Sequence, residues 1–295
     1  MLSILIPIYN QSCLDLVKEL YKQSFTSNIL FEIICIDDCS PEIFEENKCI
    51  ENIPNCTYTV LEKNIGRSKI RNLLAEKAQY EYLIFLDCDS EIPYPDFIEK
   101  YFSAIQEHDI VAGGTIYASQ PPEDSEYYLH WKYGTVREPK PTGRQTQTFT
   151  ANNFILKKSI FKKVRFNENI QKYGHEDSLF QIDLIRNGYS VFFISNPVIH
   201  TGLEKAPDFI KKTKTGIGTL WELYKSGELN KKDSDNLKLL KTYLRMKKYK
   251  CNSLFSLCYL LCRKLFEKNL LGKHPNLFIL DIYKLCYLSY IVRHE

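Results

Sequence analysis

The feature that most constrains the fold of this chain is an apolar stretch that runs directly into two carboxylates. Residues 82–86 read Tyr-Leu-Ile-Phe-Leu, and Asp87 and Asp89 follow them, one residue apart. Such a run is typical of a buried strand in a parallel sheet, and open α/β sheets bind ligands at the carboxyl ends of their strands. Because no Lys or Arg lies among residues 82–91 to neutralise these acids, we expect a bound cation there. The alternative is a simple turn that ends the strand.

Mg²⁺ and Mn²⁺ are the cations that this position favours. Such ions are typically held by one or two carboxylates together with substrate phosphates. A nucleotide diphosphate is therefore the ligand that we expect beside Asp87 and Asp89.

Strands and helices alternate in the sequence before residue 89. Strands are predicted at residues 2–10, 31–37 and 58–61, and helices at residues 14–23, from Ser40-Pro41 onward and around 70–78. This order predicts a parallel sheet with right-handed crossovers and a nucleotide site along its carboxyl edge. The second strand also ends in two acids without a neighbouring cation, Asp37 and Asp38. Neither a G-x-G-x-x-G nor a G-x-x-x-x-G-K-S sequence is present, which disfavours a dinucleotide fold and a P-loop.

The middle of the chain contains a long polar stretch between regular elements. We predict a helix at residues 97–105, a strand at 110–117, a loop at 119–148 with four prolines, a strand at 150–156 and a helix at 173–187. Long loops in compact domains are usually functional. Trp131 in this loop is a candidate to stack on a sugar ring, although packing is the commoner role of such a residue.

Glu176 and Asp177 lie near the predicted start of the helix at 173–187. Acids in a first helical turn favour the helix dipole, which explains many such pairs. A carboxylate facing a ligand pocket is also suited to accept a proton from a substrate hydroxyl as a general base. His200 follows a short predicted strand at 198–199 and is by default a buried, hydrogen-bonded histidine.

Charge divides the chain into two parts. Residues 1–202 carry 20 basic and 27 acidic side chains, whereas residues 203–295 carry 19 basic and 9 acidic ones. A basic end of this kind points to an anionic partner. The ten cysteines show no paired C-x-x-C zinc spacing, and the residues after Met1 do not read as a signal peptide. We therefore expect reduced thiols in a cytoplasmic protein.

Basic amphipathic helices are predicted throughout the C-terminal part, at residues 206–225, 231–246, 253–267 and 276–292. No stretch reaches the roughly 18 to 20 apolar residues that span a bilayer. Their apolar faces most often pack as core, but they also fit peripheral contact with an anionic membrane surface on its inner face, or a homodimer. A nucleic-acid partner is not expected, because the lysines are spread over several helices without a known module.

Five motifs in chain order resemble those of the inverting family 2 glycosyltransferases, which have the GT-A fold. They are Ile6-Pro7-Ile8-Tyr9-Asn10, Ile36-Asp37-Asp38-Cys39-Ser40, Asn64-Ile65-Gly66-Arg67 with Arg71-Asn72, Asp87-Cys88-Asp89 and His175-Glu176-Asp177. The resemblance implies an α/β fold with a Rossmann-like, mostly parallel sheet flanked by helices. The catalytic domain would occupy residues 1–203, and residues 204–295 would form a helical C-terminal extension.

The resemblance also implies which residues bind the nucleotide-sugar donor. Pro7 and Tyr9 would line the nucleotide pocket, and Asp38 would bond the base with Asp37 as its supporting neighbour. The other implied donor-site residues are Arg71 near the base, Gly66 where the backbone approaches the nucleotide, and Asp87 on the ribose side.

For the metal and the acceptor, the same resemblance points to residues farther along the chain. Asp89 would bind Mn²⁺ or Mg²⁺, with His200 as a further ligand. Asp177 would be the catalytic base, and Glu176 would help to hold the acceptor. Asn152 and Asn153 match a family segment near the acceptor site.

The implied function is metal-dependent, inverting transfer of a sugar from a nucleotide diphosphate, foremost a UDP-sugar, to a saccharide or lipid-linked saccharide in surface polysaccharide synthesis. One alternative is a nucleotidyltransferase acting on a sugar phosphate. It is disfavoured because Tyr9-Asn10-Gln11-Ser12 stands where a Gly-rich loop with Lys or Arg is expected. Another is a non-catalytic protein that binds a nucleotide sugar or carbohydrate, which would not need both acid pairs.

Overall fold

The computed structural model describes residues 1–138 and 149–295, which form two compact units. Within these ranges, the first unit draws on Met1–Ala118, Glu138–Gln171 and Glu176–Gly202. The second draws on Ser119–Arg137, Lys172–His175 and Leu203–Glu295. The division into domains at residue 203 stays a prediction.

The described residues contain the regular elements that alternation predicts. The strands are β1 (Leu2–Ile8), β2 (Phe31–Asp37), β3 (Cys56–Val60), β4 (Tyr82–Leu86), β5 (Ser90–Glu91), β6 (Ile110–Ala112), β7 (Thr115–Ile116), β8 (Asn153–Lys157), β9 (Phe192–Phe193) and β10 (Val198–His200). The helices are α1 (Leu14–Thr26), α2 (Arg67–Lys77), α3 (Phe97–Glu107), α4 (Tyr128–Arg137), α5 (Lys158–Phe161), α6 (Glu176–Arg186), α7 (Ala206–Lys225), α8 (Lys238–Lys248), α9 (Asn252–Leu270) and α10 (Leu277–His294).

A seven-stranded sheet, with strand order β3-β2-β1-β4-β8-β6-β9, forms the centre of the first unit. Strands β1 to β4 run parallel to one another, and β9 runs parallel to β6. Strand β8 is antiparallel to both β4 and β6. A small second sheet has the order β5-β10-β7. The predicted mostly parallel sheet is confirmed, with β8 as an antiparallel exception that apolar patterning does not reveal.

Both faces of the large sheet are buried, as the continuous apolar runs predict. From β1, Ile4 and Ile6 enter a core with residues of α1 and α3 on one face. Leu5 enters a second core with residues of α2 and α6 on the other face. This double coverage leaves the carboxyl edge of the strands as the place where polar side chains gather.

Three predicted elements differ from the structure. The segment after Ser40-Pro41 forms a 3-10 helix that begins only at Glu45. The strand predicted at residues 110–117 is split into β6 and β7 by Gly113-Gly114, and Gly114 has a φ of 82° that interrupts extended backbone. The helix predicted at 231–246 is a 3-10 helix at Asp233–Asn236 followed by α8.

The predicted long loop at residues 119–148 is wrong for much of its described part. A 3-10 helix at Ser125–Tyr127 leads into α4, and the Asp124 carboxylate accepts the backbone N–H of Glu126 at 2.9 Å. Leu129 of α4 is fully buried, so an apolar contact fixes this helix within a polar stretch. Residues 139–148 of the predicted loop lie outside the described residues.

The second unit is built from the apolar faces of its helices. One core contains Ile210 of α7, Tyr259 of α9 and Leu280 of α10. Prediction and structure agree on the bounds of α7, Ala206–Lys225. Across residues 1–138 and 149–295, no helix combines the length and apolar character that a membrane crossing requires.

Candidate functional site

Asp87, directly after β4, forms an ion pair with Arg71 of α2. The Arg71 Nη2 and the Asp87 Oδ1 lie 2.7 Å apart, and the Arg71 side chain is 5% exposed. The expectation that both acids after β4 lack a cation is therefore wrong for Asp87. The neutralising charge comes from a helix that precedes the strand in sequence, which a local count of Lys and Arg misses.

Asp89 faces His200, at the end of β10. The Asp89 Oδ1 and the His200 Nδ1 lie 3.5 Å apart. Burial raises the pKa of Asp89, but the hydrogen bond and charge of His200 outweigh it and lower that pKa. Burial lowers the pKa of His200, and Asp89 outweighs this effect in turn and raises it. A carboxylate oxygen and an imidazole nitrogen thus face each other, as they do across a shared proton or cation.

Gly202 lets the backbone lie directly against Asp89. A Cβ at this position would be 2.3 Å from the Asp89 Oδ2 and 2.9 Å from the Asp89 Cβ. Every other residue would therefore displace the carboxylate. Gly202 is not among the residues predicted from the sequence, where the available signal is a glycine two residues after His200.

Asp38, directly after β2, holds the loop that leads into α2. Its Oδ1 accepts the N–H of Ile65 at 2.7 Å, and its Oδ2 accepts the N–H of Gly66 at 2.9 Å. Burial raises the pKa of Asp38, while these two N–H donors lower it, and the net direction is upward. The acid is compensated by backbone amides rather than by a cation. Its role in binding a base stays a prediction.

Gly66 is required by its backbone conformation. Its φ is 85° and its ψ is 164°, a region that only glycine adopts readily. A Cβ on this residue would meet no atom within 4 Å. The turn that begins α2 therefore requires glycine by its backbone conformation, and the approach of the nucleotide to Gly66 stays a prediction.

Two further predicted donor residues, Pro7 and Tyr9, lie at the carboxyl end of β1. Pro7 pairs in register with Ile36 of β2, and the N–H of Asp38 donates to the Ile8 carbonyl at 2.9 Å. Tyr9 is 51% exposed. These contacts bring Pro7, Tyr9 and Asp38 together at one edge of the sheet.

Asp37 supports the same edge from inside. It is 1% exposed, and its Oδ1 accepts the N–H of Ser40 at 2.7 Å. The carboxylate thereby fixes the turn that follows β2 and carries Asp38. This geometry agrees with a supporting role, although the role itself stays a prediction.

Glu176, the first residue of α6, forms an ion pair with Arg67, the first residue of α2. The Arg67 Nη1 lies 3.2 Å from the Glu176 Oε1, and the glutamate side chain is 6% exposed. Burial raises the pKa of Glu176, but the charges of Arg67 and Arg71 outweigh it and lower that pKa. Arg67 belongs to one of the predicted motifs but has no role assigned from the sequence, because no local pattern shows that it contacts α6.

Asp177, the next residue of α6, has the opposite electrostatic environment. Burial and the charge of Glu176 raise its pKa to about 6, against the lowering effect of Arg71. Its Oδ2 accepts the N–H of Ala151 at 3.1 Å. Two adjacent carboxylates whose pKa values are driven apart are the usual arrangement where one carboxylate exchanges protons with a substrate.

Several buried polar atoms around these residues have no hydrogen-bond partner within the part of the chain that the structure describes. They are the Asp177 Oδ1, the Asn152 Oδ1, the Ser90 Oγ and the Nε and Nη1 of Arg71. Buried polar groups are nearly always paired, with protein, water or a ligand. The set contains both acceptors and donors, so it suits a ligand rich in hydroxyl groups.

Asn153 and Trp131 are placed differently from the other predicted residues. Asn153 is 1% exposed, its Nδ2 donates to the carbonyls of Gly114 and Asn196, and its Oδ1 accepts the Tyr101 hydroxyl at 2.6 Å. These bonds occupy both N–H donors of its amide and give Asn153 a structural role, and its role at the acceptor site stays a prediction. Trp131 belongs to α4 in the second unit, and its acceptor role stays a prediction.

The residues present fit a divalent cation at Asp89 and His200. Carboxylate oxygen and imidazole nitrogen are both ligands for Mn²⁺, and the two donor atoms already lie together. Within the described ranges, no cluster of three or more His, Cys, Asp or Glu side chains is arranged to hold a metal. Two protein ligands completed by phosphate oxygens are an ordinary arrangement for such ions.

A groove described in the first unit lies elsewhere. It encloses about 810 Å³ and is lined by Met1, Asn28 and Leu30 at the amino ends of the strands. It contains none of the carboxylates of the candidate site. The candidate site is therefore located by the carboxylates at the strand edge and not by this groove.

A family model described as glycosyl transferase family 2 matches residues 3–165. An uncharacterized glycosyltransferase from Haemophilus influenzae is 31% identical over 141 residues, which are 43% of this chain and 46% of that protein. Chondroitin synthase from Escherichia coli is 34% identical over 232 residues, which are 63% of this chain and 32% of that enzyme. The chain therefore aligns with less than half the length of these two relatives.

Solved structures share the fold. A mannosyltransferase from Pyrobaculum calidifontis, in complex with GDP-Man and Mn²⁺, has a TM-score of 0.60 and 11% identity. That comparison covers 99% of this chain and 86% of the other. Residues 1–349 of TarS from S. aureus, in complex with UDP-GlcNAc, give a TM-score of 0.52 and 19% identity, with 99% of this chain and 91% of the other covered.

Proposed function

The chain belongs to glycosyl transferase family 2 and has the GT-A fold, and from this premise we propose that it transfers a sugar from a nucleoside diphosphate to an acceptor hydroxyl with inversion at the anomeric carbon. The donor is a UDP-sugar, and the acceptor is a saccharide or lipid-linked saccharide of a surface polysaccharide. Because the chain aligns with less than half the length of the Haemophilus influenzae relative, the donor, the acceptor and the activity all belong to this proposal.

The environment of Asp177 is the observation that carries the proposal. Its Oδ1 is buried without a partner among the described residues, and its pKa is raised to about 6. A carboxylate with a pKa near the working pH is better matched to take a proton from an alcohol than an ordinary aspartate is. This supports Asp177 as the general base.

The donor side of the proposal rests on the edge formed by β1, β2 and β4. Pro7, Tyr9 and Asp38 lie together there and would receive the base, while Asp87 would face the ribose. Arg71 holds Asp87 in place through their ion pair. The bound UDP-GlcNAc of TarS and the bound GDP-Man of the mannosyltransferase support a nucleotide-sugar donor in this fold.

Asp89 and His200 would hold Mn²⁺ or Mg²⁺ in this proposal. A bound divalent ion supplies positive charge that stabilises the departing diphosphate. Gly202 leaves space for the Asp89 carboxylate, which a Cβ at this position would displace. The Mn²⁺ found with the mannosyltransferase supports a divalent ion in this fold.

The reaction needs one displacement and no nucleophile from the protein. Asp177 takes the proton of the acceptor hydroxyl while the acceptor oxygen bonds to the anomeric carbon. The bond from that carbon to the diphosphate breaks, and the nucleoside diphosphate leaves with the electron pair. Attack from the face opposite the leaving group inverts the anomeric centre. Glu176, whose pKa the charge of Arg67 lowers, would help to hold the acceptor in this proposal.

Product analysis with a panel of nucleotide sugars tests the proposal. The protein is incubated with each donor, Mn²⁺ and a mixture of oligosaccharide acceptors, and the nucleotide product and the extended saccharide are identified by mass. Release of UDP with acceptor extension is expected, and the new linkage should have the inverted configuration by proton NMR. Release of pyrophosphate instead would indicate a nucleotidyltransferase, and donor binding without turnover with any acceptor would indicate a binding protein.

A further inference from the structure

Helix α9 presents a row of exposed leucines that we call the leucine ridge. Its members are Leu254 (66% exposed), Leu257 (47%), Leu260 (50%), Leu261 (72%) and Leu265 (68%). Spacings of three and four residues place them on one side of a helix. Single exposed leucines are ordinary, but a contiguous apolar row on one helix indicates an interaction surface.

The opposite side of α9 is already packed, so the ridge is the free side of the helix within the second unit. Tyr259 is 4% exposed, and its ring lies 5.8 Å from the ring of Tyr283 and 4.9 Å from that of Tyr290, both of α10. Leu270 is fully buried in the same core. The leucine ridge therefore adds nothing to the core of its own unit.

The exposed charged side chains of α9 are basic. Lys264 and Lys268 are exposed and lie on the ridge side of α9 by helical spacing, and Arg263 is also exposed. Every residue of α9 is described, and Glu267 is its one acid. Glu267 forms an ion pair with Lys214 at 3.0 Å and accepts a hydrogen bond from the hydroxyl of Tyr283 at 2.6 Å. Within residues 1–138 and 149–295, no acid forms an ion pair with Lys264 or Lys268, so the exposed side of the helix combines leucines with basic groups.

Two further exposed apolar side chains follow the ridge in sequence. Leu271 is 48% exposed just after α9, and Phe278 is 67% exposed in the first turn of α10. Lys273 and His274 lie exposed between them. The alternation of apolar and basic groups therefore continues beyond the end of the helix.

We propose that α9 binds the surface of an anionic lipid bilayer, with the leucine ridge inserted among the acyl chains and Lys264 and Lys268 at the lipid phosphates. An amphipathic helix with leucines on one side and basic residues beside them lies in the plane of such an interface. Basic side chains next to the apolar face are attracted to the anionic headgroups. This inference does not depend on the transferase activity.

Charge favours a bilayer over a second copy of the chain as the occupant of the ridge. A two-fold symmetric dimer places the same surface on both sides of the interface. Two leucine ridges would then bring together Lys264 and Lys268 of both copies with no free acid of α9 to pair with them. An anionic membrane supplies the missing negative charge.

Vesicle flotation of the chain, residues 1–295, under reducing conditions tests the proposal. Vesicles of phosphatidylcholine alone are compared with vesicles of equal parts phosphatidylcholine and phosphatidylglycerol. We expect the protein to float with the mixed vesicles and to stay at the bottom with phosphatidylcholine. High salt should weaken the binding, because it screens the lysines.

Two double variants separate the apolar contribution from the charge contribution. Leu261→Gln with Leu265→Gln should reduce vesicle partitioning by about tenfold or more, because two inserted side chains are lost. Lys264→Gln with Lys268→Gln should reduce it by roughly 25-fold, since each basic residue near an anionic surface contributes about a factor of five. All four side chains are exposed, so both variants should keep the circular dichroism spectrum and thermal midpoint of the parent.

Each variant has a matched control in the first unit. Phe25→Gln with Leu30→Gln removes two exposed apolar side chains, which are 70% and 58% exposed. Lys18→Gln with Lys22→Gln makes the same change in net charge on α1. Both controls should float like the parent protein.

Three results would overturn the proposal. The first is that the parent protein does not float with the mixed vesicles. The second is that the ridge variants float as well as their controls. The third is a dimer of the parent in solution that the leucine variant converts to a monomer, because the ridge would then be a protein interface.

Discussion

Arg71 and Asp87 form an ion pair in which the guanidinium is buried and the carboxylate is partly open, with 2.7 Å between Nη2 and Oδ1. The pair joins α2 to the end of β4. It also brings a positive charge toward Asp177, whose pKa it lowers. One arginine therefore fixes the strand end and limits how far burial raises the pKa of the proposed base.

Arg71→Met should destabilise the protein by about 2–4 kcal/mol, because the Asp87 carboxylate loses the buried cation that it pairs with. The free energy of unfolding is measured by urea denaturation. Arg165→Met is the matched control, since Arg165 pairs with Glu76 on the surface, where both side chains are largely exposed. That change should cost no more than about 1 kcal/mol. Equal losses in the two variants would contradict the structural importance of the buried pair.

Gly66→Ala should cost about 1–3 kcal/mol through backbone strain alone. Gly218→Ala is a sharp control, because a Cβ at either glycine meets no atom within 4 Å, yet Gly218 lies within α7. The control should be stabilised by roughly 0.5–1 kcal/mol, as expected for alanine in a helix. Thermal and urea denaturation measure both. An unchanged free energy of unfolding in Gly66→Ala would contradict the predicted backbone strain and show that the loop adapts to a side chain.

Much of the sheet was predictable because its strands are continuous apolar runs. Residues 82–86 and 31–37 were predicted as strands with acids at their ends, and β4 and β2 have these bounds. Local residue pattern does not report strand direction, so the antiparallel β8 was not foreseen. Helix α4 was not predicted, because Leu129, which is fully buried in the structure, lies in a polar stretch of the sequence.

The candidate site was predictable in its acids but not in their partners. Asp38, Asp87, Asp89 and Asp177 were named from sequence motifs. The contacts of Arg67 with Glu176 and of Gly202 with Asp89 join residues that are more than one hundred positions apart. Pairing over such distances depends on the tertiary fold, so no local pattern carries it.

Asp177→Asn should stabilise the protein at neutral pH by about 1–3 kcal/mol, because it removes a carboxylate whose pKa is raised to about 6. The folded state holds the proton of Asp177 more tightly than the unfolded chain does, where the pKa is about 4. The stability that protonation provides is therefore complete below about pH 4 and is lost as the pH rises through 6. Unfolding free energies of variant and parent should converge as the pH falls from about 7 to 4. A variant that is less stable at pH 7 would contradict the raised pKa.

The dependence of kcat/KM on pH should show a limb with an apparent pKa near 6. Below it the rate should fall roughly tenfold per pH unit, because protonated Asp177 no longer accepts the acceptor proton. Steady-state rates with saturating Mn²⁺ across this range provide the measurement. A profile that stays flat to about pH 5 would argue against Asp177 as the titrating base.

Removal of divalent ions should abolish turnover, and added Mn²⁺ should restore it. Asp89→Asn should raise the Mn²⁺ concentration needed for half-maximal activity by at least about tenfold, because it weakens one of two proposed protein ligands. Asp96→Asn is the control, since that carboxylate is exposed and pairs with Lys100. Full activity of the parent protein in excess chelator would exclude the proposed metal dependence.

The rate of nucleotide release in Asp177→Asn tests the proposed base most directly. Turnover of a UDP-sugar with its acceptor is compared among the parent, Asp177→Asn and Asp183→Asn, which changes a carboxylate of the same helix that pairs with Arg186. We predict a loss of at least about a hundredfold in kcat for Asp177→Asn, with UDP binding retained and Asp183→Asn close to the parent. Turnover in Asp177→Asn equal to that of Asp183→Asn would contradict the account.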